Sequence, residues 1–348
     1  LIHNRYAPRA ERLEDRRLLA GNIGVSIDGA GNVTLVGTAN ESDEAIVYID
    51  YGTGDVLVEG LNGTTIDGGT DPVQIGEDAT IAGNLRVFLK SGDDHFVVAG
   101  ISPAGTEAVL EDVLSVAGDV SIWADGGSDD VGVANANIGG NLSLYAAGAD
   151  NALMVHGVYV GVGGSGDLTV YGSDRDDFIG ICYTEVHGDM NIRSFRGADT
   201  IVNVGVEIEG DATIITSRDS AGDTILLTHS EYEGSTRVIT QGGGDDTLLM
   251  SRNEFASLDV YLNSGNDTVC AVGNTATSSV DINGGVGTDA IYRRGNAGIG
   301  DTDITGFETD VQGLPLPEEC SIAVDIVMSE LYYLKWWVFY GYDDAVPA

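Results

Sequence analysis

From residue 21 onward the chain is written in short runs in which apolar and polar residues alternate. Leu85/Val87/Leu89, Val120/Ile122, Leu142/Leu144, Leu168/Val170 and Leu258/Val260/Leu262 alternate with Arg86, Ser121, Ser143, Thr169 and Asp259. A second set does the same at Phe96/Val98, Val131/Val133, Ile225/Leu227 and Leu248/Met250. A third, shorter set ends at Ile81, Val116, Ile138, Val186, Ile208 and Tyr232. Successive side chains on a strand point to opposite sides, so alternation with one apolar face predicts β-strands.

Two marks punctuate the runs. A Gly-Asp or Gly-Asn step enters the first set at Gly83-Asn84, Gly118-Asp119, Gly140-Asn141, Gly166-Asp167, Gly188-Asp189 and Gly210-Asp211, and Gly234-Ser235 continues it. These glycines lie 35, 22, 26, 22, 22 and 24 residues apart. A Gly-x-Asp-x-apolar corner precedes the second set, most completely at Gly242-Gly243-Gly244-Asp245-Asp246-Thr247-Leu248. A repeat in the low twenties with three strands per unit is the size of one coil of a solenoid. The predicted fold is all-β: a parallel β-helix of three-strand coils of about 22 residues, stacked so that each coil buries the apolar face of the next.

The repeat divides the chain. Residues 76–313 read as the array, with insertions at Ile101–Glu111 and around Tyr159–Ser165. Residues 21–75 alternate less regularly and read as strands, hairpins among them, that begin or cap the solenoid. Asn40-Glu41-Ser42-Asp43-Glu44-Ala45 reads there as a degenerate corner. Residues 1–20 form a separate basic segment, and residues 314–348 end in a dense apolar and aromatic run, Ile322–Tyr340. Asp325, Glu330 and Lys335 interrupt that run, which argues against a membrane span. An end cap is the first expectation for it, and a membrane or partner contact the second.

Composition narrows the function classes. The formal net charge is −39, from 55 acidic and 16 basic residues. Such an excess disfavours nucleic acid and anionic membrane as partners. Cys182, Cys270 and Cys320 are too few and too far apart for a disulfide framework or a metal-ligand set, and Cys182 and Cys270 read as small apolar packing residues. The five histidines share no ligand spacing and read as unrelated surface or turn residues.

Leu13-Glu14-Asp15-Arg16-Arg17-Leu18-Leu19-Ala20 resembles the Leu-Glu-Pro-Arg-x-Leu-Leu motif near the N-terminus of planctomycete extracytoplasmic and surface repeat proteins, with Asp15 where that motif has proline. The unit from Gly284 to Glu308 is similar to the closing element of the same proteins. The resemblance implies a secreted or cell-surface protein and carries no catalytic residues. Expected partners are cell-envelope or matrix components, polysaccharide or protein.

The corner is also similar to the repeat-in-toxin calcium nonapeptide, which makes the corner aspartates candidate metal ligands. They are Asp94, Asp129, Asp150, Asp176, Asp199, Asp223, Asp246, Asp267 and Asp289. Stacked about 4.8 Å apart, neighbouring charges repel by about 0.9 kcal/mol in water and more near protein. Ca2+ is one answer to that repulsion. Turn capping, with the carboxylate accepting backbone N–H groups, is the other. Paired carboxylates such as Asp93/Asp94 and Asp245/Asp246 face opposite ways on a strand and so cannot share an acid–base site. The expectation is therefore a structural or adhesive β-solenoid without catalysis. The alternative is a β-helix that binds or degrades polysaccharide, which an aromatic patch crossing several coils would favour. No such patch is evident along the array.

Overall fold

A computed structural model describes residues 21–100, 113–216, 218–299 and 304–313, together with Cys320. Its 31 strands join in one hydrogen-bonded system that winds as a parallel β-solenoid. The register follows the sequence repeat: Val120 lies over Leu142, Leu142 over Leu168, Leu168 over Met190 and Met190 over Ala212. All-β and parallel β-helix were both expected, and both hold.

Alternation puts one side chain in two on the axis. The inward column Ile122, Leu144, Val170, Ile192, Ile214 and Val238 is fully buried. Each such side chain contributes roughly 1.5–3 kcal/mol once covered, but a single coil covers none of them. Stacking therefore supplies the stability, and the parallel ladders fix the stacking.

At the N-terminal end, strands Val33–Val36 and Glu44–Ile49 already lie parallel on the array, against Leu85–Phe88 and His95–Val98. They also pair antiparallel, with Asn22–Ile27 and Val56–Gly60 respectively. These hairpins occupy edges that would otherwise offer unpaired backbone groups.

At the other end the core closes differently. The inward column Leu227, Met250 and Ala271 continues into Arg293, which is buried. Its Nε lies 2.9 Å from Asp310 Oδ1 and its Nη2 2.5 Å from Asp310 Oδ2. That hydrogen bonding holds the Asp310 carboxyl below its usual range. The last described strand, Thr309–Gln312, is exposed throughout. A polar pair thus ends the apolar interior within the described residues.

The insertion expected around Tyr159–Ser165 is the turn after strand Ala152–Val160. The insertion at 101–111, the basic segment 1–20 and the aromatic run 322–340 lie outside the described residues. The cysteine reading needs a correction, because Cys270 and Cys320 form a disulfide. They are 50 residues apart, and only the winding of the chain brings them together. Cys182 is buried, as expected.

Candidate functional site: stacked side-chain columns

The corner aspartates do form a ladder. Each backbone N–H donates to the side chain one coil further on: Asp43 to Asp94 Oδ1 at 2.8 Å, Asp94 to Asp129 at 3.0 Å, and Asp129 to Asn151 at 3.0 Å. Asn151 donates to Asp177 at 2.9 Å, Asp177 to Asp199 at 2.9 Å, and Asp199 to Asp223 at 2.9 Å. Asp223, Asp246 and Asp267 each continue it at 2.8 Å, to Asp246, Asp267 and Asp289. Asp289 closes it on Glu308 Oε2 at 2.7 Å. The degenerate corner at Asp43 is thus the first rung.

Two candidate ligands are misplaced by the corner rule. Asp150 and Asp176 are exposed, and their neighbours Asn151 and Asp177 occupy the column. The inward apolar residues of those coils are Leu153/Val155 and Ile179/Ile181. Counting back by two places the buried corner at 151 and 177. Gly-x-Asp spacing selected Asp150 over Asn151, and at Arg175-Asp176-Asp177, which lacks the glycine, the first acidic residue was taken over the second; the parity of the following strand points to the right member of each pair. The other seven, Asp94, Asp129, Asp199, Asp223, Asp246, Asp267 and Asp289, stand where the corner rule put them, each at most 4 % exposed.

Burial pushes these carboxyls up: Asp199 to about 8, Asp94, Asp129 and Asp267 to about 7, and Asp43 and Asp246 to about 6. Donated backbone N–H groups oppose the shift, and neighbouring carboxyls add to it at Asp94, Asp199, Asp246 and Asp267. Oδ2 of Asp94, Asp129, Asp199, Asp267 and Asp289 is buried without a hydrogen-bond partner. Asn151 shows what the column accommodates, since its neutral amide accepts from Asp129 and donates from Nδ2 to Ala149 O and Asp177 Oδ1. A protonated aspartate is the isostere of that amide. Calcium takes six to eight oxygen ligands. Here Oδ1 accepts a backbone N–H, and Oδ2 of those five aspartates is sealed from solvent, a geometry that turn capping accounts for without an ion.

Three further columns run alongside. Asn32, Asn84, Asp119, Asn141, Asp167, Asp189 and Asp211 accept the N–H of the following coil at 2.7–2.9 Å, which explains the Gly-Asp step. Asn253, Asn274 and Asn296 form a second inward ladder at the remaining corner. Their Nδ2 groups also donate to Leu227 O, Met250 O and Ala271 O.

The third is an aromatic column, which the sequence analysis missed. Phe88, Trp123, Tyr145 and Tyr171 lie over one another on the outward side of the first strand set. Phe88–Trp123 and Trp123–Tyr145 are stacked, with centroids 4.6 and 5.6 Å apart, and Tyr145–Tyr171 is edge-on at 5.4 Å. The signal was present: each aromatic stands three residues after the first inward apolar residue of its strand. Two basic residues flank this column, and a third lies over a ring four coils further on. Lys90 lies 5.6 Å from the Phe88 ring, Arg193 5.7 Å from Tyr171 and Arg237 5.8 Å from Tyr261. Beside the rings runs a polar column, Ser121, Ser143, Thr169, Asn191 and Thr213.

His187 stands at a partly exposed turn, as expected, but it is not without partners. Its ring nitrogens lie 3.2 Å from Glu185 and 2.9 Å from Glu209, so it bridges two glutamates on successive coils. No family model matches the chain, and neither does any curated protein or solved structure.

Proposed function

We propose that this chain is an exported structural rod of the cell envelope or extracellular matrix, working as a spacer or adhesive scaffold rather than as an enzyme. The observation that supports it best is the continuity of the ladder from Asp43 to Glu308, through which each coil repeats the corner of the last. A catalytic site has to break such a repeat, whereas a rod benefits from leaving it intact. The Cys270–Cys320 disulfide supports export, because such bonds persist in oxidising compartments and are rare in the cytosol. Thiol trapping of the native protein tests this. The protein is expected in the envelope or extracellular fraction with one blocked thiol, Cys182, and two oxidised ones. A cytosolic pool with all three thiols reduced would overturn the reading.

The aromatic column favours a second reading, contact with a neutral or anionic glycan. The central rings spend their faces on each other, so this contact would use ring edges, the neighbouring hydroxyls and the flanking cations. Titration with soluble polysaccharides should then change the emission of Trp123, and Trp123→Phe should abolish that change. An unchanged spectrum, or a change that survives in Trp123→Phe, rejects this reading.

A further inference from the structure

One outward face of the solenoid is built like an interior. Met154, Val202, Leu226, Leu249 and Cys270 point away from the axis, between inward neighbours such as Ile225 and Leu227. Each is nevertheless 0–4 % exposed. The outward aromatics of the first strand set are much larger, yet only half-buried. Something therefore lies over this face. The described strands are all part of the solenoid wall or its N-terminal hairpins. Cys320 is the sole described residue after Gly313; it is 4 % exposed, belongs to this apolar cluster and is bonded to Cys270.

We infer that this face is an intramolecular docking surface whose occupant is the apolar and aromatic run at 321–340, pinned to the wall by the Cys270–Cys320 disulfide. The chemistry matches. The run supplies Ile322, Val324, Leu331, Trp336, Trp337 and Phe339, whereas the segment at 1–20 is rich in arginine. The reach matches too. From Cys270 to Met154 is five coil steps, about 24 Å at roughly 4.8 Å each. Some twenty residues span about 30 Å even when coiled at 1.5 Å per residue, and more when extended. The open end is a poorer seat, since buried Arg293, paired with the exposed Asp310, already ends the apolar interior there. The C-terminal run thus acts as a lateral cover rather than an end cap.

Two measurements on the full chain test this. A benzophenone amino acid in place of Phe178, a partly buried ring packed on the cluster, is expected to photo-crosslink to peptides from 321–340. Crosslinks to 1–20 or 101–112 instead, or to another molecule, would overturn the assignment. Cys182 lies in the same cluster, 3 % exposed, and serves as an internal reporter. In Cys270→Ser/Cys320→Ser the cover loses its tether, and maleimide labelling of Cys182 is expected to accelerate at least tenfold with the β-sheet circular dichroism retained. If the rate is unchanged, a protease site placed between Gly313 and Pro317 lets the cover be cut away after folding. Cys182 protection that survives this removal, with the sheet intact, sinks the proposal; labelling that appears only then supports docking through apolar contact alone.

Discussion

Raising the pH from 5 to 8 at 0.15 M salt is expected to lower the melting temperature by about 10 °C. The cause is the aspartate ladder. Six of its carboxyls are pushed from an ordinary 3.8 to between about 6 and about 8, chiefly by burial. The folded chain therefore keeps protons that the unfolded chain has released. The resulting stability is complete below the unfolded value and is lost as the pH climbs through the folded ones. An excess of two bound protons in the folded chain, sustained over two pH units, amounts to about 5 kcal/mol, and each 1 kcal/mol moves a domain larger than about 250 residues by roughly 2 °C. Repulsion among surface carboxylates acts in the same direction, but salt screens it beyond about 8 Å. The slope that survives 0.5 M salt belongs to the buried column.

Asparagine variants separate the two sources. Asp199→Asn and Asp267→Asn place in the ladder the residue that already stands at 151. They are expected to be near neutral at pH 5 and stabilising at pH 8, flattening the slope. Asp199→Leu removes the acceptor for the Asp177 N–H and should cost about 1–3 kcal/mol at either pH. A melting temperature that rises with pH, or asparagine variants that destabilise at pH 8, would mean that the column is ionised and that its charge is met by something else.

The repeat made the fold legible from sequence, and alternation alone identified which residues face the axis. What the corner motif by itself could not give was the parity of a doubled corner. In Asp150-Asn151 and Asp176-Asp177 both members suit a turn, and only the strand that follows decides which one points inward. The aromatic column escaped for a related reason. Each of its members stands among different neighbours, and Phe88, Trp123 and Tyr145 look alike only after the coils are superposed. Cys270 and Cys320 were illegible because local spacing carries no information about a contact made through the winding of the chain. His187 was set aside because its partners, Glu185 and Glu209, are acidic residues of no distinctive spacing. They meet the ring because one precedes it on its own coil and the other lies one coil on.

The corner glycines yield the second large effect. Gly127 has φ of +137°, and a Cβ there would sit 1.6 Å from the carbonyl oxygen of Gly92 in the preceding coil. That atom is backbone and cannot swing aside. Gly127→Ala is therefore expected to pry two coils apart, breaking Gly92 N–H to Gly126 O and Ala149 N–H to Gly127 O, each 2.7 Å, and disturbing the Asp94–Asp129–Asn151 rungs. The loss should reach about 4 kcal/mol. In a stack held by nearest-neighbour contacts, it should appear first as faster hydrogen exchange on both sides of that corner. Two other glycines divide the effect into its parts. Gly163 has φ of +85° with open space around it, so Gly163→Ala carries backbone strain alone, about 1 kcal/mol. Gly29 has open space and no left-handed backbone, so Gly29→Ala should fall within about 0.5 kcal/mol of the parent chain. If Gly127→Ala melts together with Gly163→Ala, the coils do not approach as closely as the ladder requires, and the stacked corner loses its physical basis.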